Sequence, residues 1–435
     1  MILQNWWYTT LLGTNQPMQP PLAEDIKTNI VVVGAGMAGL SAAYRLMGKG
    51  YKVVLIERNI CGGSSTGKSA GFLTPDSELE LSQLIRRFGL SGGRDLWEVA
   101  TMGVNLITSN VQKYGISCDL IKQDSLFLAN NADGFKDAQA ESEARQKLGY
   151  PQTLYSAEEV TKVIGTDRYV GGIRYPGTFG IDALRYSQGL KKVLLENGVQ
   201  IYEATEAHTI SDHRVHTHLG SITADHIIFC ADKLKTSLTP YSRNTFHAQT
   251  FLSISEPLID QHIVRLFPSG PVQCWDSDLV YTYYRLTGDG RLLVGGGSPM
   301  TTFTRHYVNS PRVISRVIRK FKNNFPFLND LEFIQYWPGQ IDCTRDLIPT
   351  ILKDEKASWI HWVLGCVGLP WAAFCGDFTA RKVLDETNPE EEKYYKYFTL
   401  KRNFLIPIWM ENFLGKQIVF SLNNTWAKYY QVDQK

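Results

Sequence analysis

The sequence predicts two interleaved halves, one α/β on a parallel sheet and the other α+β on an antiparallel sheet. Three observations carry this. A strand–helix–strand unit begins just after residue 24, and β-rich segments punctuated by turns crowd residues 246–297. Strand and helix patterns of the first kind then return after each interruption.

Ile30-Val31-Val32-Val33 is a continuous apolar run, long enough for one buried parallel strand. It feeds into Gly34-Ala35-Gly36-Met37-Ala38-Gly39, and residues 40–49 continue as a helix that Gly50 ends. Residues 52–56 form a second buried strand, with Glu57 at its end and Arg58 behind it. Gly34 permits the tight turn, Gly36 admits a pyrophosphate, and Gly39 lets helix and strand pack closely. The helix N-terminus turns free N–H groups and a positive dipole end toward the phosphates. Glu57 accepts hydrogen bonds from a ribose. Glycines cluster in many turns, but here strand, glycines, helix, strand and acid stand in register, so a bound dinucleotide is the reading.

The 435 residues supply a large core and two or three domains. With 45 basic and 43 acidic residues, the chain has no nucleic-acid footprint. Seven scattered cysteines without a CxxC pair argue for reduced thiols in a cytoplasmic protein, and against a disulfide framework or a metal site. Neither a secretory leader nor a membrane-spanning run is visible.

Residues 1–24 read as an arm, aromatic at Trp6, Trp7 and Tyr8 and then rich in proline. A loop of small and hydroxyl residues follows the dinucleotide unit, from Cys61 to Gly71, with Lys68 its one cation. Helices are expected at 78–88, 91–114, 132–148, 182–196, 311–325 and 370–384, the basic 311–325 helix presenting a solvated face. Strands are expected at 198–202, 222–231, 280–286, 291–294, 331–337 and 359–364, with Thr287-Gly288-Asp289-Gly290 as a hairpin turn. This divides the chain into the arm (1–24), a first domain (25–90, 175–245, 335–390), a second domain (91–174, 246–334) and a helical tail (391–435).

Together these blocks resemble the D-amino-acid oxidase superfamily of FAD-dependent amine oxidoreductases. The branch with glycine oxidase, monomeric sarcosine oxidase and gamma-glutamylputrescine oxidoreductase is the most similar. The Gly34 to Gly39 turn with Glu57 is similar to the family's FAD unit. Gly63-Ser64-Ser65-Thr66-Gly67-Lys68-Ser69-Ala70-Gly71 stands in place of its Ser-Gly-Arg-Asn-Gly-Gly loop, which passes the flavin. Ala224-Asp225 through Ala231 resembles its second nucleotide strand, and Gly365-Cys366-Val367-Gly368 its flavin-closing turn. Tyr336-Trp337-Pro338-Gly339, then Thr344-Arg345-Asp346 with Pro349, resembles its W-x-G…T-x-D-x-x-P signature. Asp289 to Gly296, and the tail through Lys428-Tyr429-Tyr430, look most like the gamma-glutamylputrescine branch.

The resemblance implies a Rossmann-like FAD-binding domain interleaved with an antiparallel-sheet substrate domain. It implies FAD contacts from Gly34 to Gly39, Glu57, Arg58, Gly63, Ser64, Ser65, Lys68, Ser69, Ala70, Gly71, Ala207, Cys230, Ala231, Gly339, Asp346, Gly365, Val367, Gly368 and Leu369. Gly339 replaces the tethering cysteine of some members, so FAD is expected to be non-covalent. Ile341 and Pro370 stand where relatives carry an arginine and a lysine for the substrate carboxylate. Losing both cations removes the charge-assisted hydrogen bonds that an amino acid needs in a dry site. Leu293 replaces a lysine that helps activate oxygen, which disfavours fast oxidase turnover.

The chemistry implied is amine oxidation, with hydride passed to the flavin and the imine then hydrolysed. No acid–base dyad stands out, and His247 and His306 are the only histidines near the substrate sheet. Trp275, Tyr281, Tyr283, Trp337 and Trp371 are the pocket candidates, since aromatic faces attract alkylammonium groups. Alternating aromatics also build ordinary cores. Asp276 is either a partner for a distal ammonium or a turn acid. The tail, with Phe404, Trp409, Phe413, Phe420 and Trp426, reads as a packed terminal helix in preference to a membrane-surface one. The substrate expected is a primary or secondary amine, a polyamine derivative among them. The alternatives are an N-substituted or D-amino acid, or a flavin-binding subunit without catalysis. The electron acceptor stays open between O2, a quinone and a protein.

Overall fold

The computed structural model describes residues 1–76, 78–232, 238–303, 307–400, 402, 406–407 and 409–425. His306, Phe404, Trp426 and Lys428-Tyr429-Tyr430 lie outside the described residues. The elements that position the site are β1 (Ile26–Val33), α1 (Met37–Leu46), β2 (Val53–Ile56), α2 (Leu81–Tyr114) and β3 (Phe246–Pro257). They continue with β4 (Val272–Asp276), β5 (Tyr283–Leu286), β6 (Arg291–Gly296), β7 (Phe333–Cys343) and α3 (Leu369–Val383).

β1 is the heart of the nucleotide sheet. Ile30 to Val33 are all buried: Ile30 and Val32 lie under helices α1 and α3, and Val31 and Val33 pack on the opposite face with Val215, Ile222 and Trp362. Its neighbours are β2 and Ser221–Phe229, both parallel. Gln200–Tyr202 extends the sheet beyond β2, and Ile360–Leu364 beyond Ser221–Phe229. α1 and α3 cross on one face through small residues. A methyl built on Gly376 would lie 1.9 Å from the Ala38 carbonyl oxygen, so only glycine allows this approach.

The second sheet has nine strands: Ile2–Leu3, β7, β3, β6, β5, β4, Asp124–Ala129, Gly171–Tyr175 and Thr153–Ser156. Pairing from β7 through β4 is antiparallel, and the Thr287 to Gly290 hairpin joins β5 to β6 as its sequence indicates. Strand alternation splits the sheet chemically. Leu252, Trp275, Tyr283, Leu293 and Trp337 face the nucleotide half, whereas Phe251, Cys274, Tyr284, Val294 and Tyr336 build a separate core beneath helix Pro311–Asn324. That helix buries Val313, Ile314, Val317, Ile318 and Phe321 and turns its basic residues outward.

Three expectations change. The arm is no prelude: Ile2 and Leu3 pair in parallel with Gln335 and Tyr336, and Trp7 is fully buried. The boundary drawn at 335 falls inside β7, which belongs to the antiparallel sheet. Its Pro338 is tolerated because the arm strand reaches no further than Tyr336, leaving the outer edge of β7 without a strand partner there. The helices expected at 78–88 and 91–114 run on into one another as α2, meeting at a kink at Gly89 (φ 73°, ψ 174°) with no linker between them.

The tail packs on the core through Tyr394, Tyr397, Phe398 and Phe420, while Trp409 and Phe413 face outward. Arg402 donates from Nε to Asp346 Oδ2 (2.8 Å) and from Nη2 to Oδ1 (3.0 Å), and Arg87 donates from Nη2 to Oδ2 (2.5 Å). Burial alone would raise the Asp346 pKa, but the two guanidiniums hold its carboxyl far below the usual range. Asp346→Asn leaves two cations without their counter-charge. It should lower stability by about 3–5 kcal/mol, read as a lower denaturant midpoint with an unchanged slope.

Candidate functional site

A long cavity opens at the carboxyl end of β1. Of the residues expected to bind the dinucleotide, Gly34, Gly36, Met37, Ala38, Glu57, Arg58, Ser64, Ser65, Ala207, Cys230, Ala231 and Gly365 line it. Ala35 and Gly39 act from behind. The Ala35 N–H donates to Glu57 Oε2 (2.9 Å) and the Asn59 N–H to Oε1 (3.0 Å), fixing the carboxylate at the strand end. Burial raises the pKa of Glu57 against the pull of those donors. A methyl on Gly39 would sit 1.8 Å from the Gly34 oxygen, so this glycine is demanded by helix–strand packing. Gly36 differs. It has ordinary dihedrals (φ −75°), and the nearest atom to an added methyl is Thr66 Oγ1 at 3.4 Å. Nothing in the protein requires a glycine there; the space its missing side chain leaves belongs to the cavity.

The loop from Gly63 to Gly71 is held from three sides. The arm supplies Asn5 Nδ2 to the Gly67 carbonyl (2.6 Å), Trp7 Nε1 to Ser69 (2.9 Å) and Tyr8 Oη to Gly63 (2.7 Å). β7 supplies Trp337 Nε1 to the Lys68 carbonyl (3.1 Å), with Gly339 beside it, and Trp337 also packs edge-on against Trp7. β5 supplies Arg285, fully buried, which donates to the carbonyls of Ala70, Ile181 and Leu286. Burial lowers its pKa to about 10, so it stays charged at neutral pH. Val367 and Leu369 are buried, and Gly368 is the N-cap of α3. Asp346 lies in its arginine pair and not on the cavity wall.

Beyond Gly71 the site turns aromatic. Phe72 packs against Trp275 (centroids 6.4 Å apart) and Tyr283 (5.9 Å), and Tyr283 against Tyr281 (5.6 Å). Gly295 lies opposite Tyr283, and a methyl there would collide with the ring at 2.3 Å. Trp371 Nε1 donates to the Pro75 carbonyl (3.4 Å), tying the start of α3 to this segment. Asp276 is not part of the wall. Its carboxylate takes Lys320 Nζ (2.6 Å) and the Thr282 N–H (3.1 Å), so it is the turn acid. The acids near the aromatics are Glu78, bonded to Tyr281 Oη, and Glu80, bonded to Trp275 Nε1.

Leu293 is fully buried, Ile341 lines the cavity and Pro370 sits in the first turn of α3, so none of the three brings a charge to the site. His247 Nδ1 lies 2.8 Å from Asp342 Oδ1, beside the cavity. Among the described residues one group has metal-ligand spacing, Glu206, His208 and His218, at the outer rim of the nucleotide sheet.

Residues 29–382 match the DAO family of FAD dependent oxidoreductases. The chain belongs to that family. It is 28% identical over 348 residues to a "Probable oxidoreductase OrdL" of Haemophilus influenzae, covering 77% of this chain and 78% of the relative. It is 26% identical over 339 residues to gamma-glutamylputrescine oxidoreductase of Escherichia coli, covering 75% and 77%. Among solved structures, glycine oxidase from Geobacillus kaustophilus superposes with a TM-score of 0.73 at 16% identity, covering 87% of this chain and 99% of that one. L-proline dehydrogenase from P.horikoshii superposes at 0.71 and 19%, covering 86% and 97%. These two share the fold. Membership of the DAO family makes this protein an FAD-dependent oxidoreductase acting on amines or amino acids.

The residues present fit FAD: a glycine at Gly36 that only a ligand explains, a helix start whose N-cap has no side chain, and a fixed acid at Glu57. The sequence reading missed Thr66, whose Oγ1 accepts the Met37 N–H (3.0 Å), and Asp232, which Ser64, Ser65 and Arg58 all reach. It also missed Arg285; a single arginine inside an apolar strand was the available signal. Gly36→Ala should leave the apoprotein's melting temperature within a degree or so, as surface-like changes do, while weakening FAD binding at least about tenfold. Gly39→Ala should instead lower the melting temperature itself. Differential scanning fluorimetry with a flavin titration separates the two.

Proposed function

We propose that this protein oxidises a primary or secondary amine, polyamine derivatives included, with FAD held non-covalently. When bound, FAD accepts the hydride from the amine α-carbon. The substrate R–CH2–NH2 becomes the iminium R–CH=NH2+; water then adds and ammonium leaves, giving an aldehyde. The protein's part is to hold a neutral amine in line and keep water away until the hydride has gone.

One observation carries the reading: the wall beyond Gly71 is aromatic and acidic, and its buried arginine is spent on main-chain carbonyls. Arg285 directs Nε, Nη1 and Nη2 to Ala70, Leu286 and Ile181, so it offers a carboxylate nothing. An amino-acid carboxylate would therefore find no charge-assisted partner at Arg285. Buried Leu293 supports a quinone or protein acceptor over dioxygen, since charge built up on oxygen finds no cation there. The seven free cysteines support a cytoplasmic setting.

Anaerobic addition of a substrate panel to the purified holoenzyme tests this. Amines without a carboxylate should bleach the flavin faster than sarcosine, glycine or D-alanine. The reverse order would make it an amino-acid enzyme, and no bleaching by any compound would make it a flavin-binding subunit.

A further inference from the structure

The acids beside the aromatic wall form a closed constellation. Glu78 accepts from Tyr281 Oη through both its oxygens (3.0 Å each), and Tyr281 stacks toward Tyr283, Tyr283 on Phe72, and Phe72 on Trp275. Trp275 Nε1 donates to Glu80 Oε1 (3.2 Å), which returns the circuit to the segment where it began. Asp76 lies on the same segment, only 5% exposed; its Oδ1 accepts from Thr74, while Oδ2 has no partner. Glu80 Oε2 is likewise buried without a partner. Helix Ala132–Leu148 adds Glu141 and Arg145, paired at 2.9 Å, with the guanidinium seated on the Tyr175 ring at 3.5 Å. Among the described residues named here, four carboxylates face one guanidinium.

We propose that this aromatic, acid-lined cage binds the distal ammonium of a diamine or polyamine, so that the enzyme selects dications over monoamines and rejects carboxylates. The inference deepens the amine-oxidising reading and rests on it for the fate of the other nitrogen. Its location suits the task, since Phe72 follows Gly71 at the end of the flavin loop and Pro75 is tied to the start of α3. An ammonium brings three donors to carboxylate oxygens that have none, and its charge is attracted to aromatic faces. A carboxylate in the same place would meet four carboxylates against the single Arg145 guanidinium, which already pairs with Glu141. Burial pushes the carboxyl of Asp76 up to about 7 even with Arg145 nearby. Cation binding therefore displaces protons from the group formed by Asp76, Glu78, Glu80, Glu141, Arg145 and Tyr281.

Calorimetric titration of the anaerobic holoenzyme with putrescine, n-butylamine and gamma-aminobutyrate tests the cage by binding alone. Putrescine should bind at least about tenfold more tightly than n-butylamine, with gamma-aminobutyrate weakest. Comparing buffers of different ionisation enthalpy should show proton release with putrescine near pH 7. Glu78→Gln and Glu80→Gln should each shrink the putrescine to butylamine ratio about tenfold. Tyr281→Leu, which removes an aromatic face without changing charge, is the variant to use if a charge change prevents folding, and it too should reduce the ratio. Equal binding of the three compounds, binding of none, or a ratio unmoved by every variant overturns the proposal. A putrescine preference without flavin bleaching upholds the cage and refutes the oxidation reading. Equal affinity and equal bleaching by putrescine and n-butylamine does the opposite.

Discussion

Helix α1 lies against strand β1 so closely that no side chain fits between them, and the site depends on that contact. It brings the helix start to the end of the strand, where Glu57 arrives from β2 with its carboxylate already oriented by two main-chain donors. Neither the dipole at the helix start nor the acid could be placed by a flexible loop with the same accuracy. The second close approach, α3 on α1 at Gly376, extends the same logic. Small residues let helices meet backbone to backbone, and the turn before α3 then closes the cavity's far side.

The loop from Gly63 to Gly71 has little structure of its own beyond a single 3-10 turn. Its shape is imposed by donors that satisfy its carbonyls from elsewhere: Asn5, Trp7 and Tyr8 from the arm, Trp337 from β7 and Arg285 from β5. A buried guanidinium is costly unless its N–H groups are taken up. Arg285 meets that condition with three carbonyls, and by doing so welds loop, turn and sheet at one point. Serving this structural end removes it from substrate recognition, so the wall is left to aromatic rings and acids.

What could be read from the residues was what is local. The glycine fingerprint, the Thr287 to Gly290 hairpin, the helix at 132–148 and the interruption near Gly89 each depend on neighbours a few positions away. Half of the cavity is of this kind. The rest depends on contacts that span the chain. Trp7 reads as an arm aromatic until Trp337 is seen beside it, and the run 331–337 reads as a strand ended by Pro338 until the free outer edge of β7 is known. Asp76, Glu78 and Glu80 carry no periodicity that separates them from a solvated turn. Only their apposition to Tyr281 and Trp275, two hundred positions on, gives them meaning.

The pairing of Ile2–Leu3 with β7 has a consequence for how the molecule is made. Ile2 and Leu3 find their partners in Gln335 and Tyr336, 333 positions further along the chain. Before that pairing forms, the arm rests on the loop and on the helix Ala183–Glu196. Separations of this length make closure slow relative to local helix formation. The brace on the loop therefore sets after the local helices and hairpins have formed.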